Sequence, residues 1–165
     1  MTTPVSLPPE IVSLLIPRLS DEFKAFYFYR DAANWCANVG FNLAAKYFEA
    51  ESADELAHAK AIEKYLTDWN VLPSLPPIAT PSSQFANLGD VISAAYDLEF
   101  ALYGAYKQTS MAAFSADLCT FDLLTSFRDI QVKSVAQYSD LLNKLAGVNV
   151  ADKFQMLALE ESLFA

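Results

Sequence analysis

Residues 51–60 read ESADELAHAK, and within them His58, the only histidine of the chain, follows Glu55 by three positions. On a helix, residues three apart share one face, so a carboxylate and an imidazole at this spacing can grip one metal ion together. The step lies on a helical pattern that runs from about Phe41 to Trp69. Taken alone, such a pair arises by chance on many helices, in solvated or structural roles. Its meaning depends on what the rest of the chain brings to it.

Helical periodicity continues in both directions, with no convincing alternating strand. Upstream, after the Pro8-Pro9 pair, a pattern runs from about Glu10 to Asn38 and stops at Gly40. Pro17 falls inside it, where it either kinks the helix or marks its true start. Downstream, between Asn70 and Ala86, Pro73, Pro76, Pro77 and Pro81 make a long connection able to lie extended against a bundle. A third helix is expected over about Leu88 to Ala113, and a fourth over about Ala116 to Ala146, closed by Gly147. A short tail helix follows over roughly Val150 to Leu163. The joints near Gly40 and Ser115 are tight and the middle one is long, which predicts two antiparallel pairs joined by a crossover. The expected organisation is one all-α domain over 1–165, with an N-terminal extension over 1–8. A four-helix bundle occupies 9–146, with a long crossover between helices 2 and 3, and a short fifth C-terminal helix occupies 150–163. No low-complexity tract or strong internal repeat stands out.

A chain of 165 residues suits one domain with a sizeable core. Apolar residues make up 53% and charged residues 19%, with only four glycines, a balance that favours extensive burial, a subunit interface included. The net charge of -9 argues against a nucleic-acid partner, which needs clustered Lys and Arg to replace phosphate counterions. Acidity suits the attraction of cations and is equally an ordinary route to solubility. Cys36 and Cys119 form no close pair or metal-binding spacing, and both sit in apolar helical surroundings, so two buried thiols are expected. The opening MTTPVSLPPE lacks a basic region followed by a long apolar stretch, and no run is long enough to span a bilayer. The expectation is a cytoplasmic protein with no signal peptide and no membrane partner.

The other helices each supply an isolated polar group. Glu22 lies in DEFKAFYFYRDAANWC, and its face continues through Phe26 and Tyr29 as a core stripe. Glu99 lies in VISAAYDLEFALYGAYKQ, with Tyr96, Tyr103 and Tyr106 on about the same face. A carboxylate on an apolar helix face is costly unless something pairs with it. Metal binding offsets that cost; so does an ion pair with Lys or Arg, but basic residues are few here. Gln131, in RDIQVKSV, falls where the fourth helix could face the same centre, either as a ligand or as a core amide bonded to a neighbour. Glu22, Glu55, His58, Glu99 and Gln131 thus offer one or two donors from each of four helices, an arrangement that in helix bundles holds paired iron or manganese. Carboxylate and imidazole donors suit iron, manganese or zinc rather than copper(I). So few ligands for two metals require one bridging carboxylate, and Glu55 is the natural bridge.

At this point the chain resembles a non-haem ferritin, of the ferritin-like superfamily, from about Pro9 to Leu163. The resemblance rests on Glu22 followed by Tyr29, the ESADELAHA segment, Glu99, and a fourth helix LCTFDLLTSFRDIQVKSV with Gln131 in a Gln-Val-Lys context. The spacings of 33 residues from Glu22 to Glu55 and 44 from Glu55 to Glu99 are similar to those of bacterial ferritins. It implies a ferritin-like four-helix bundle in which Glu22, Glu55 and His58 surround a first iron. Glu55, Glu99 and Gln131 would surround a second, weaker one. Tyr29 would stand beside the centre as a hydrogen-bond or electron donor, or as plain core packing. The implied activity is a ferroxidase: Fe(II) is oxidised with dioxygen at a di-iron centre, and the product is stored as a ferric mineral in a homo-oligomeric shell of twenty-four subunits.

The chain departs from that pattern in several places. Gln131 is followed by Val132, Lys133 and Ser134, so the second Glu-x-x-His step of haem-containing bacterioferritins is missing and no haem is expected. Asp54 could serve a third iron position, but Ile130, Lys133 and Ser134 stand where its partners would be, so no full third site is expected. Thr120 and Leu123 occupy places that often carry the acids of an iron channel, with Asp117 and Asp122 displaced nearby. Ala57 and Lys60 stand where storage chains often show further acids. Glu49, Glu51 and Asp54 read as a solvated helix face. Two other functions fit the same residues: a di-iron enzyme oxidising peroxide or a small substrate without storage, and a structural subunit whose buried acids pair with protein cations.

Overall fold

Pro8 and Pro9 open the first helix: a proline at the first helical position gives up only an amide that would be unpaired anyway. In the computed structural model, which describes residues 2–81 and 84–164, α1 runs from Pro9 to Val39 and passes unbroken through Pro17. Pro17 therefore does not mark a start; its ring lies on the exposed side of the helix. Gly40 ends α1 at φ 91°, a left-handed conformation that costs glycine nothing, and the Phe41 amide returns to the Cys36 carbonyl at 2.9 Å. That tight reversal launches α2 (Asn42–Asp68) antiparallel to α1. The proline-bearing connection follows, and then α3 (Leu88–Phe114), whose amide at Asp90 is capped by Asn87 at 3.0 Å. Asp117 caps α4 (Leu118–Leu145) through the Thr120 amide at 2.7 Å, and α5 (Lys153–Phe164) closes the chain. Among the described residues every regular element is helical, and no helix is long and apolar enough to cross a membrane.

The helices pack as two hairpins, α1 on α2 and α3 on α4, with α1 against α3 and α5 laid on α2. Their apolar faces form two clusters rather than one. One gathers Tyr29, Cys36, Phe48, Leu88, Ile92, Tyr138, Leu141 and Met156; the other gathers Ile11, Leu15, Leu19, Ile62, Leu66, Tyr106, Leu124 and Phe127. Helices α2 and α3 both run from the first cluster to the second, while α1 and α4 run the opposite way. The long connection is what allows α2 and α3 to be parallel, as the crossover reading requires. Between the clusters each helix turns a polar side chain inward: Glu22 on α1, Glu55 (with Ser52 one turn before it) on α2, Glu99 on α3 and Gln131 on α4.

That interruption is expensive. A fully buried Leu or Phe contributes about 1.5–3 kcal/mol, whereas an uncompensated buried charge costs several. Three carboxylates between two apolar clusters would erase the burial of several core residues unless something neutralises them. What neutralises them is therefore the central question of this structure.

Candidate metal centre

Glu22 belongs to the inward stripe of α1 that runs through Ala25, Tyr29 and Ala32, and it is 0% exposed. Glu55 (4%), Glu99 (0%) and Gln131 (1%) hold the equivalent places on α2, α3 and α4. His58, half-buried one turn beyond Glu55, turns its ring back toward both acids. Its Nδ1 lies 3.1 Å from Glu55 Oε2 and 3.4 Å from Glu22 Oε2. One donor atom from each of the three residues falls within 4.8 Å of the others, a spacing that one cation can span. Glu22 Oε2 has no hydrogen-bond partner although it is buried. An orphaned carboxylate oxygen facing an imidazole nitrogen is the donor set a divalent ion completes.

Glu99, Gln131 and Tyr29 form an adjoining set. The Tyr29 hydroxyl donates to Glu99 Oε1. With its amide nitrogen toward α3, Gln131 donates to the Glu99 carbonyl at 3.1 Å and to Glu99 Oε2 at 2.9 Å. The sequence left Gln131 as ligand or core amide; in this geometry it is an amide bonded to Glu99. Among the described residues no Lys or Arg ion pair reaches Glu22, Glu55 or Glu99. Arg18 is occupied by Asp21 at 2.5 Å and by Thr109 at 2.9 Å.

Burial governs the electrostatics. Desolvation raises the Glu55 carboxyl to about 9, against the hydrogen bond from His58 and with help from the neighbouring Glu22. Desolvation likewise lifts Glu99 to about 7, opposed by the Tyr29 hydrogen bond and assisted by the charges of Glu51 and Glu22. Burial alone would depress His58, but the adjacent Glu22 and Glu55 carboxylates outweigh that and raise it to about 10. Without a cation the cluster holds protons in place of the missing charge. A metal ion would displace them.

Several sequence expectations are revised. Glu51, read as part of a solvated face, is half-buried, accepts a hydrogen bond from Tyr138 at 3.1 Å, and is raised by desolvation. It stands four residues before Glu55 and so shares its side of α2. Glu49 and Asp54 are exposed as expected. Of the three α3 tyrosines only Tyr106 is fully buried; Tyr96 packs on the edge of the first cluster, and both Tyr96 and Tyr103 touch the exposed Phe100. Tyr106 donates to Glu22 Oε1, a contact across helices that no spacing within α3 signals. Thr120, read at a channel position, is 0% exposed and bonded to the Tyr65 hydroxyl at 3.0 Å. Cys119, expected to be buried, is exposed: the inward stripe of α4 begins at Thr120 and continues through Leu124 and Phe127, one residue out of phase with it.

Comparison with known proteins agrees with this architecture. The family model for the ferritin-like domain matches residues 13–148. A probable bacterial non-heme ferritin-like protein of Haemophilus influenzae is 25% identical over 140 residues, covering 84% of this chain and 85% of that protein. The bacterial non-heme ferritin of Campylobacter jejuni is 24% identical over 156 residues, covering 90% and 93%. Among solved structures, the open pore ferritin from Archaeoglobus fulgidus superposes with a TM-score of 0.88 at 20% identity, covering 95% of this chain and 96% of that one. At that identity the structural likeness speaks for the fold.

Proposed function

The chain belongs to the ferritin family, and from that premise we propose that it oxidises Fe(II) with dioxygen at a paired-metal centre and stores the ferric product within a multi-subunit shell. The observation that carries this reading is the meeting of Glu22, Glu55 and His58 around one point, with Glu22 Oε2 unpartnered and, among the described residues, no Lys or Arg ion pair to these acids. Glu22, Glu55 and His58 would hold the first Fe(II). Glu55 would bridge to a second held by Glu99, with Gln131 as a further donor or, in the geometry described, as the group that orients Glu99. Hard carboxylate oxygens favour the ferric over the ferrous ion, so the ligand set itself pulls the oxidation forward. Two Fe(II) together would give two electrons to dioxygen, which with two protons leaves as hydrogen peroxide, and the two ferric ions would then hydrolyse and leave for storage. Tyr29 fixes the orientation of Glu99 through its hydroxyl.

The reading as a small-substrate oxidase needs a cleft that opens onto the ligands. The 330 Å³ cleft between α1 and α3 is lined by Arg18, Asp21, Lys24, Leu98, Ala101, Leu102 and Ala105, and none of these is a proposed ligand. The reading as a structural subunit needs Lys or Arg beside the buried acids, and among the described residues no Lys or Arg ion pair reaches them; the basic group at Glu22 and Glu55 is His58, itself a candidate ligand. Replacing Glu55 and His58 together with alanine tests the ferroxidase reading by stopped-flow Fe(II) oxidation. The rapid phase should vanish; a variant that oxidises iron at the wild-type rate overturns it.

A further inference from the structure

Two helices of this bundle carry the same short pattern. Glu22-Phe23 in α1 is followed, seven residues after the acid, by Tyr29; Glu99-Phe100 in α3 is followed at the same distance by Tyr106. Seven residues are two helical turns, so each tyrosine lies on the side of its own helix that bears the acid. The structure crosses the two pairs. Tyr29 of α1 donates to Glu99 of α3, and Tyr106 of α3 donates to Glu22 of α1. Both phenols are fully buried. The two ends of the exchange are not equal, because both Glu99 oxygens have hydrogen-bond donors whereas Glu22 has one oxygen on Tyr106 and the other free.

Tyr106 is held from both sides. Its ring stacks on Phe127 at 5.0 Å and 6°, Phe127 meets the His58 ring edge-on at 5.8 Å, and the Arg18 guanidinium lies 5.9 Å from the Tyr106 ring centre. Arg18 is in turn tied to Asp21 and Thr109. A phenol so clamped cannot swing away from Glu22 without disturbing the packing around His58. We infer that Tyr106 is a positioning residue of the first metal position, holding Glu22 to a single metal-facing oxygen, as the reciprocal counterpart of Tyr29 on Glu99. Occupying Oε1 leaves Oε2 as the only oxygen aimed at His58, and it prevents the carboxylate from chelating with both. The inference rests on the paired-metal reading of the site and adds to it a residue outside the ligand set.

Cobalt(II) is a suitable probe, since its visible absorption reports coordination number without any turnover. Wild-type protein should bind Co(II) in calorimetry, and Glu22→Gln should lose the tighter event. Tyr106→Phe removes one oxygen atom and keeps the stacking ring. It should weaken the tighter event by about 10- to 100-fold, the usual effect of losing a partner behind a metal ligand. It should also lower the visible absorptivity as Glu22 becomes bidentate, a change that a merely structural role would not produce. Tyr29→Phe should leave the spectrum of that event unchanged. If wild type binds no Co(II), the paired-metal reading itself fails. If wild type binds and Tyr106→Phe matches it in affinity and spectrum, only the role of Tyr106 fails. Should Tyr106→Phe not fold, Zn(II) added to Tyr29→Phe provides a second measurement. The near-ultraviolet tyrosine band should shift on binding, and no shift overturns the inference.

Discussion

Glu55 and Glu99 lie where desolvation outweighs every nearby favourable contact, which raises the first to about 9 and the second to about 7. Both acids therefore keep protons in the folded, metal-free chain that the unfolded chain would release. Their contribution to stability is complete at low pH and is lost as pH climbs from the ordinary carboxyl value of 4.5 through those raised values. The His58 shift to about 10 has the same sign. A bound cation replaces the protons, so the gain in Tm on adding Mn(II) should be larger near about pH 8.5 than near about pH 6. A gain that is flat or falls with pH would contradict this account of the cluster. Much of the site could be read from the chain because an acid on an apolar helix face is conspicuous. Tyr106 could not be separated from Tyr96 and Tyr103 in advance, since the phase of a helix is needed to decide which of three nearby tyrosines turns inward. Glu51 was hidden for a similar reason: Tyr138, which covers it, comes from a helix 87 residues away.

The tail helix shows how one side chain can join two elements. The start of α2 has no side-chain cap of its own, and Glu160 of α5 supplies one from a distance. Glu160 Oε1 accepts from the Leu43 amide at 2.7 Å and from the Ala44 amide at 2.9 Å, placing negative charge at the positive end of the helix. Replacing Glu160 with alanine leaves the buried Ala44 amide and the half-buried Leu43 amide without this partner, at a cost of about 1–3 kcal/mol. The expected result is a lower denaturation midpoint and faster hydrogen exchange in α5, with Co(II) binding at the distant acids unchanged. Unchanged exchange in α5 would show that apolar packing alone holds it. Helix ends were the least legible part of the sequence, and the caps explain why. Asp117 delays α4 to Leu118, and Asp152, whose Oδ1 takes the Phe154 amide at 3.0 Å, delays α5 to Lys153. Periodicity begins before either cap, so a reading by pattern starts each helix early.

At the scale of the molecule, the two tight joints and the one long one fixed the topology, because a crossover of that length leaves α2 and α3 parallel. The division of the core was less visible: each helix reads as one continuous apolar stripe, and only packing shows that Glu22, Glu55, Glu99 and Gln131 lie at one level. The proposed assembly calls for an apolar contact surface. Around the α3–α4 turn, Met111 is 69% exposed, Phe114 61% and Leu118 64%, a grouping of large apolar residues that favours contact with another chain. Phe114→Glu together with Leu118→Glu should lower the particle mass in analytical ultracentrifugation while each chain still binds Co(II); an unchanged mass would place subunit contacts elsewhere. The two sulfurs differ in a way that serves the same question. Cys36 is sealed in the core with its thiol pushed up to about 12 by burial, whereas Cys119 stands open beside that turn. A maleimide dye therefore tags a separated chain once, at its rim, and comparing its uptake by the intact particle turns one sulfur atom into a gauge of how closely neighbours meet.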